Sequence, residues 1–536
     1  MNSDIRLFSL LTPDADSRCF TLSDSTANDL SLDFLAEQLS RSREEQNKLR
    51  RMLMEMPADA SVITYRQEIY QDLRQYPDVC AGLQEIFDAM QFCTMDEASR
   101  VYEKSSIWEL VTRMRSLQNY VSAVTALRTL LKDVSFSSTG MRTLRDYIES
   151  IHAQSGFEAL AKDMEVLGDD VDGIRSMTLG VNLGSEFYPD EVGILSLNNF
   201  RFGERGMLEH FFRFHKKQNP DERDLTPFTM VVHPKNPSAN EHPLMNNLTR
   251  IVEQMLPSVT KKLQRMLKKY TDVSGTALAK RGDELMFYLR FLELEQRLTA
   301  GGFSCCMPDL SGSGTKLTDF YNVKLALCHL AGTVEDGIVT NDLCFTKERN
   351  ILILTGPNRG GKTILTQGAG LALLLFQHGV CVPCRQAAIR PCDGIYTHFP
   401  ADENETVTLG RLGEESARFS RICETATDAS LLLFNESFAT TSHSESLYIA
   451  EDVVRYLCCL GARTIFNTHM HELAEHADSL TCERAVCGAA SVVMGKRGTK
   501  DAYRIRFEKP DGKSSAHEIA HQYGITLEQL MENLDG

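Results

Sequence analysis

No run of apolar residues in this sequence is long enough to cross a bilayer; the richest, residues 371–376, is far too short. No apolar segment follows a basic start, so no secretory leader is visible. Repeats of solenoid period and low-complexity tracts are also missing, which excludes repeat architectures. Positive charge is in deficit. The 57 Lys and Arg stand against 73 Asp and Glu, a formal charge of −16. That argues against a basic, non-specific nucleic-acid coat, although it leaves room for a local basic surface. The 15 cysteines contain the pair Cys381-Val382-Pro383-Cys384, with Cys392 nearby, but no second CxxC to complete a four-ligand zinc site. They are expected to be reduced thiols in a cytoplasmic protein, Cys305-Cys306 and Cys458-Cys459 simply packed.

What is present is enough sequence, 536 residues, for two to four domains and a large core. Residues 1–30 read as a short strand, from Ile5-Arg6-Leu7-Phe8-Ser9-Leu10, and a loop. Residues 32–167 are strongly helical: Leu32, Phe34, Leu35, Leu39, Leu49 and Leu53 recur at rough helical spacing among charges. Few breakers interrupt these stretches, so an elongated helical domain is expected. Between residues 172 and 236 three alternating runs, at 177–183, 192–197 and 228–232, predict a small β-containing insertion. Helices resume at 243–299. There Lys261, Lys262, Arg265, Lys268 and Lys269 share one face, which is either simply solvated or contacts phosphates. After the Gly- and Ser-rich residues 301–315, strands and helices alternate, as in a mostly parallel sheet covered by helices.

The chemistry concentrates in that last part. Ile351-Leu352-Ile353-Leu354 is a buried-strand run, and the residues that follow, Gly356, Pro357, Asn358, Arg359, Gly360, Gly361, Lys362 and Thr363, fit Gly-x-x-x-x-Gly-Lys-[Ser/Thr] without a mismatch. Glycines let successive N–H groups turn inward on phosphate oxygens, and the helix that begins there adds its positive end. Lys362 supplies a cation for the β- and γ-phosphates, and the Thr363 hydroxyl a ligand for Mg²⁺. A second apolar run, residues 431–434, ends in Asn435-Glu436. Glu436 stands where a base would polarise the attacking water, and Asn435 where Asp would hold Mg²⁺ through water; an amide oxygen can do so without bringing charge. A third strand, residues 463–466, leads to His469 at its carboxyl end, where the ligand crevice of such a sheet lies; there it could sense the γ-phosphate or orient water.

These residues resemble the MutS family of DNA mismatch-repair ATPases. Gly356-Pro357-Asn358-Arg359-Gly360-Gly361-Lys362-Thr363 is similar to the family's GPN-x-GGK-[ST] loop. Asn341-Asp342 stands where the family has an Asn before a short strand. Asp393-Gly394-Ile395-Tyr396-Thr397-His398-Phe399 with Ala401-Asp402 resembles D-x-I-F-T-R-x-G-A-x-D, and Thr468-His469-Met470-His471-Glu472-Leu473 matches T-H-x-x-E-L. Residues 512–524 look like the family's closing helix. The likeness is strong over 336–524 and weaker before. Tyr65-Arg66-Gln67-Glu68-Ile69 looks like the start of its core, and residues 282–303 like its lever.

The resemblance implies a multidomain protein: a segment at 1–30, an elongated α-helical core and lever domain at 31–325 with its β-containing insertion, and an α/β P-loop (ABC-like) ATPase domain at 326–536. It implies ATP and Mg²⁺ as cofactors, Ile364 as part of the binding loop, and adenine held between Ile338 and Phe507. It implies a homodimer in which Leu409, Gly410, Arg411 and the residues to Glu415 close the partner's nucleotide, Gly410 falling where Ser is usual. DNA, recognised by structure rather than sequence, would be the partner, and no membrane. Two departures point to slower or differently regulated hydrolysis: Asn435 replaces Asp, and Ser437-Phe438-Ala439-Thr440-Thr441-Ser442 replaces a glycine-rich turn. The helical core starts too early to leave room for mismatch-reading domains, and no nuclease-like extension is expected after residue 524. The expected function is an ATP-dependent DNA-binding switch. The alternative is a nucleotide-gated protein-interaction switch with weak or no hydrolysis and no mismatch recognition.

Overall fold

The computed structural model describes residues 8–14, 16–90, 106–183, 185, 189–198, 230–232, 256–400, 410–438, 442–496 and 500–510. Contacts divide the chain into two compact units. One holds Tyr76–Phe136 and Arg142–Asp283 with Met1–Leu7; the other holds Phe8–Gln75, Ser137–Met141 and Glu284–Gly536.

The second unit is built on a six-stranded sheet. Its order is Ile395–His398, Leu431–Asn435, Arg463–Asn467, Ile351–Thr355, Ala489–Met494 and Ile505–Arg506. The first five run parallel and the last is antiparallel. Strands buried on both faces read as continuous apolar runs, which is why Ile351–Thr355 and Leu431–Asn435 contain so little polar sequence. On one face Ile351, Ile353, Leu432 and Phe434 pack with Val454, Leu457 and Leu473, which belong to helices His443–Leu460 and His471–Glu475. On the other face Gly370, in helix Lys362–Gln377, brings its backbone so close to Leu433 that a Cβ would lie 2.6 Å from a leucine methyl. A four-stranded sheet in the order Asp309–Leu310, Gln386–Ile389, Thr315–Phe320, Asn341–Phe345 belongs to the same unit.

Residues 8–75 belong to this unit. Specific polar contacts explain the assignment. Gln377 Nε2 donates to the Pro57 carbonyl (2.7 Å), Gln367 Nε2 to that of Asp29 (2.7 Å), and Thr397 Oγ1 to Asp29 Oδ2 (2.6 Å). Arg66, from the stretch that looked like a family core, is fully enclosed and bonds His378 Nδ1 at 2.9 Å and the Leu11 carbonyl at 2.7 Å. Cys19–Thr21 pairs antiparallel with Glu55–Pro57, and the strand expected at 5–10 lies in part outside the described residues.

The first unit contains helices Pro77–Met90, Ile107–Leu131, Ser155–Asp172 and Pro257–Leu267. Leu110, Met114 and Leu117 meet Leu160, Met164 and Leu167, and Leu263, Met266 and Leu267, at the spacing of one helical face. Ser106 and Glu109 form a reciprocal capping box that fixes the start of Ile107–Leu131. The expected β insertion is an antiparallel sheet of Ser176–Leu183, Pro189–Asn198 and Met230–Val232. In the basic stretch Leu263, Met266 and Leu267 are buried while Lys261, Arg265, Lys268 and Lys269 are exposed, and Lys269 pairs with Asp163 at 3.0 Å. No described helix is long and apolar enough to cross a membrane. The expected features at Ala401-Asp402, Leu409, 439–441 and 512–524, with part of the runs at 228–232 and 243–299, lie outside the described residues.

Candidate functional site

Strand Ile351–Thr355 is fourth of six, so the turn after it leaves the sheet at its carboxyl edge, where open α/β sheets place ligands. Gly356 and Gly361 take φ of 143° and 89°, conformations closed to ordinary side chains. A Cβ on Gly356 would lie 2.8 Å from Met494 Cβ and 2.9 Å from its carbonyl oxygen. Arg359 adopts φ 60° between them. Gly361 caps helix Lys362–Gln377, whose first-turn N–H groups face out of the helix end.

The buried Lys362 Nζ donates to the Gly356 and Pro357 carbonyls of its own loop, at 3.0 and 3.2 Å. Burial lowers its pKa, and the charge of Glu436 works against that. Thr363 Oγ1 donates to Asn435 Oδ1 at 2.9 Å, and the same oxygen accepts from Asn467 Nδ2 at 2.5 Å. The register places Asn435 opposite Asn467, and Asn467 opposite Leu354, so three strand ends meet beside the helix start. Asn467 Oδ1 is buried with no hydrogen-bond partner. Among the described residues no group of three or more His, Cys, Asp or Glu could hold a metal. The Thr363 hydroxyl and Asn435 amide are instead two neutral hard oxygens, a set that fits Mg²⁺ when phosphate and water supply most of its ligands.

Glu436 follows its strand at φ 52°, and His469 Nε2 donates to Glu436 Oε1 at 2.7 Å. This bond holds the carboxyl below its usual range against partial burial, aided by the charge of Lys362. A cleft of about 380 Å³ is lined by the loop, Lys362, Thr363, Ile364 and Glu436, and also by Ile338. Phe507 is not among its walls. It lies under the Arg349 guanidinium, 5.0 Å from carbon to ring centroid, and the aromatic residues lining the cleft are Phe320, Tyr321 and Tyr503. Asn341 fixes that segment, donating to the Tyr503 carbonyl (3.0 Å) and accepting from Ile505 N–H (2.8 Å). Tyr503 sits at φ 62° in an irregular turn, so no periodicity marks it, and Asn467 looks like an ordinary strand end. Gly410 and Arg411 open helix Gly410–Thr425, and their side chains lie outside the described residues.

Eight of the described cysteines, all free thiols, stand in four pairs. Cys306 and Cys384 sulfurs are 3.4 Å apart and those of Cys459 and Cys482 2.7 Å; Cys305 is hydrogen-bonded to Cys381, and Cys487 to Cys458.

A glycine turn between a buried parallel strand and a buried helix, with Lys-Thr at the helix start and a carboxylate after the strand that lies two places away in the sheet, defines a phosphate-loop nucleotide-binding domain. Two family descriptions match: MutS domain V over residues 352–531 and the MutS2 N-terminal domain over residues 58–301. The chain belongs to the MutS family. It is similar to the DNA mismatch repair protein MutS of Chlorobium phaeobacteroides, 39% identical over 178 residues, 32% of this chain and 20% of that one. The MutS of Chlorobaculum tepidum is 35% identical over 177 residues, 33% of this chain and 20% of that one. That of Clostridium botulinum is 34% identical over 146 residues, 26% and 16% of the two chains. The likeness thus spans about a fifth or less of the length of these relatives. The second family match extends the likeness over the helical region, where sequence motifs alone were weak.

Proposed function

We propose that this chain binds and hydrolyses ATP in the cleft at residues 356–363. The observation that carries this is the convergence of Lys362, Thr363 and Glu436 on one cleft whose far wall includes Ile338. Loop N–H groups and the helix start receive the phosphates. Lys362 exchanges its two loop carbonyls for β- and γ-phosphate oxygens, which restores the charge that burial disfavours. Thr363 and, through water, Asn435 would hold Mg²⁺, which supplies charge neutralisation on the phosphates. Glu436, ionised at neutral pH and held by His469, polarises the attacking water; His469, which does not itself line the cleft, keeps that carboxylate aimed. Ile338 packs on the base, and Tyr503 takes the place expected of Phe507.

At the scale of the protein, the reading is a MutS-type switch working as a homodimer. Gly410 and Arg411 would close the partner's nucleotide, and the nucleotide state would set the grip on DNA through residues such as Lys261 and Arg265. The neutral Asn435 supports a second reading, slow turnover with a protein held in place of DNA. Binding to branched and linear duplexes across a salt series, with and without ATP, separates the two. Salt-dependent binding that changes with nucleotide is expected; no binding in either state removes DNA as the partner.

A further inference from the structure

We propose that Glu415, His398 and Ser437 are positioning residues that clamp the turn after Glu436 and so aim its carboxylate. The inference rests on the reading of Glu436 as the group that polarises water.

That turn is held in a conformation its residues do not favour. Glu436 and Phe438 have φ of 52° and 62°, left-handed values that suit glycine. The resemblance puts a glycine-rich turn here; this chain has Ser437-Phe438 instead. A backbone of this kind persists only where the surroundings over-determine it.

The surroundings are specific. Phe438 is 1% exposed. Its ring stacks on His398, with centroids 5.3 Å apart and planes at 22°, and meets the edge of Phe419 at 5.7 Å. The Phe438 N–H donates to Glu415 Oε2 at 2.8 Å. His398 Nε2 donates to the Glu415 carbonyl at 3.0 Å, which leaves Nδ1 as acceptor for the Ser437 hydroxyl at 2.7 Å. Burial drives the His398 pKa down to about 4, so the ring is neutral, as this arrangement needs. The His398 carbonyl lies 2.8 Å from the same Ser437 Oγ, so the one hydroxyl hydrogen is shared between that oxygen and Nδ1. One residue of helix Gly410–Thr425, Glu415, thus holds the turn directly by its carboxylate and indirectly through His398.

The test compares steady-state ATP hydrolysis and labelled-ATP retention in the parent, Glu415→Ala, Glu415→Gln, Ser437→Ala and Ser437→Thr, all full-length. Loss of aim costs turnover rather than binding, so Glu415→Ala and Ser437→Ala should lose about 10- to 100-fold in kcat with KM and retention near parental values. Glu415→Gln still offers an acceptor and Ser437→Thr a hydroxyl, so both should recover most of the rate. Parental kcat in both alanine variants overturns the proposal, as does equal impairment of each alanine variant and its conservative partner. The Ser437 pair decides the matter if Glu415→Ala does not fold. A parent that neither retains nor hydrolyses ATP removes the reading of Glu436 itself, whereas a normal parent beside undiminished alanine variants removes only the clamp.

Discussion

Glu436 shows how much of this site depends on single side chains. Its carboxylate accepts from His469 and stands at the rim of the cleft that Lys362 and Thr363 also line. If it polarises the attacking water, Glu436→Gln keeps the volume and removes the base. The variant should retain ATP at parental affinity and turn over about 100-fold or more slowly; unchanged steady-state hydrolysis contradicts the role. The pH dependence has a definite sign. A carboxyl held below its ordinary 4.5 is already ionised at neutral pH, so turnover is lost only as pH falls through that lowered value. His469→Gln removes the first cause of the depression, so the acid limb of the kcat profile should move upward in pH. A limb that stays in place shows that His469 does not set the ionisation. At this scale the sequence made legible, through motifs, that Lys362, Thr363 and Glu436 belong to one place, and all three line one cleft. The positions of Tyr503 at the cleft and of His398 against Ser437 were not, because long-range contacts rather than spacing bring them there.

At the scale of elements, parallel strands were easy to recognise because burial on both faces leaves unbroken apolar runs such as Leu431–Asn435. The left-handed backbone at Glu436 and Phe438 was hidden, since nothing in a Glu or a Phe announces positive φ. The glycines of the phosphate loop did announce it, and the loop gives a sharp prediction. Gly356→Ala must push a methyl onto the Met494 backbone at φ 143°. It should weaken ATP binding by about tenfold or more and lower the unfolding temperature, the strain being worth about 1–3 kcal/mol. Parental values in both measurements would mean that the loop tolerates a side chain and is not the tight cradle described.

On the scale of the whole molecule, the amino-terminal residues are tied into the nucleotide-binding unit by an enclosed polar group that no local pattern reveals. His378 Nε2 donates to the Leu53 carbonyl at 3.0 Å while Nδ1 accepts from Arg66. Burial, with the Arg66 charge acting the same way, drives the ring pKa down to about 3 from 6.5. The folded chain therefore stays unprotonated where the unfolded chain binds a proton, and stability falls as pH drops from 6.5 towards 3. The slope is about 1.4 kcal/mol per pH unit, or ~2 kcal/mol lost by pH 5. Urea unfolding from pH 7 to 5 should show this, and His378→Gln, which can keep both hydrogen bonds without titrating, should flatten it. An equally steep slope in that variant would place the acid sensitivity elsewhere.

Equilibrium retention of labelled ATP with magnesium tests most directly whether the phosphate loop grips a triphosphate through Lys362. The parent should bind saturably, and Lys362→Ala should bind at least about tenfold more weakly while unfolding at a similar temperature. Indistinguishable retention by the two proteins, or none by the parent, would contradict the account.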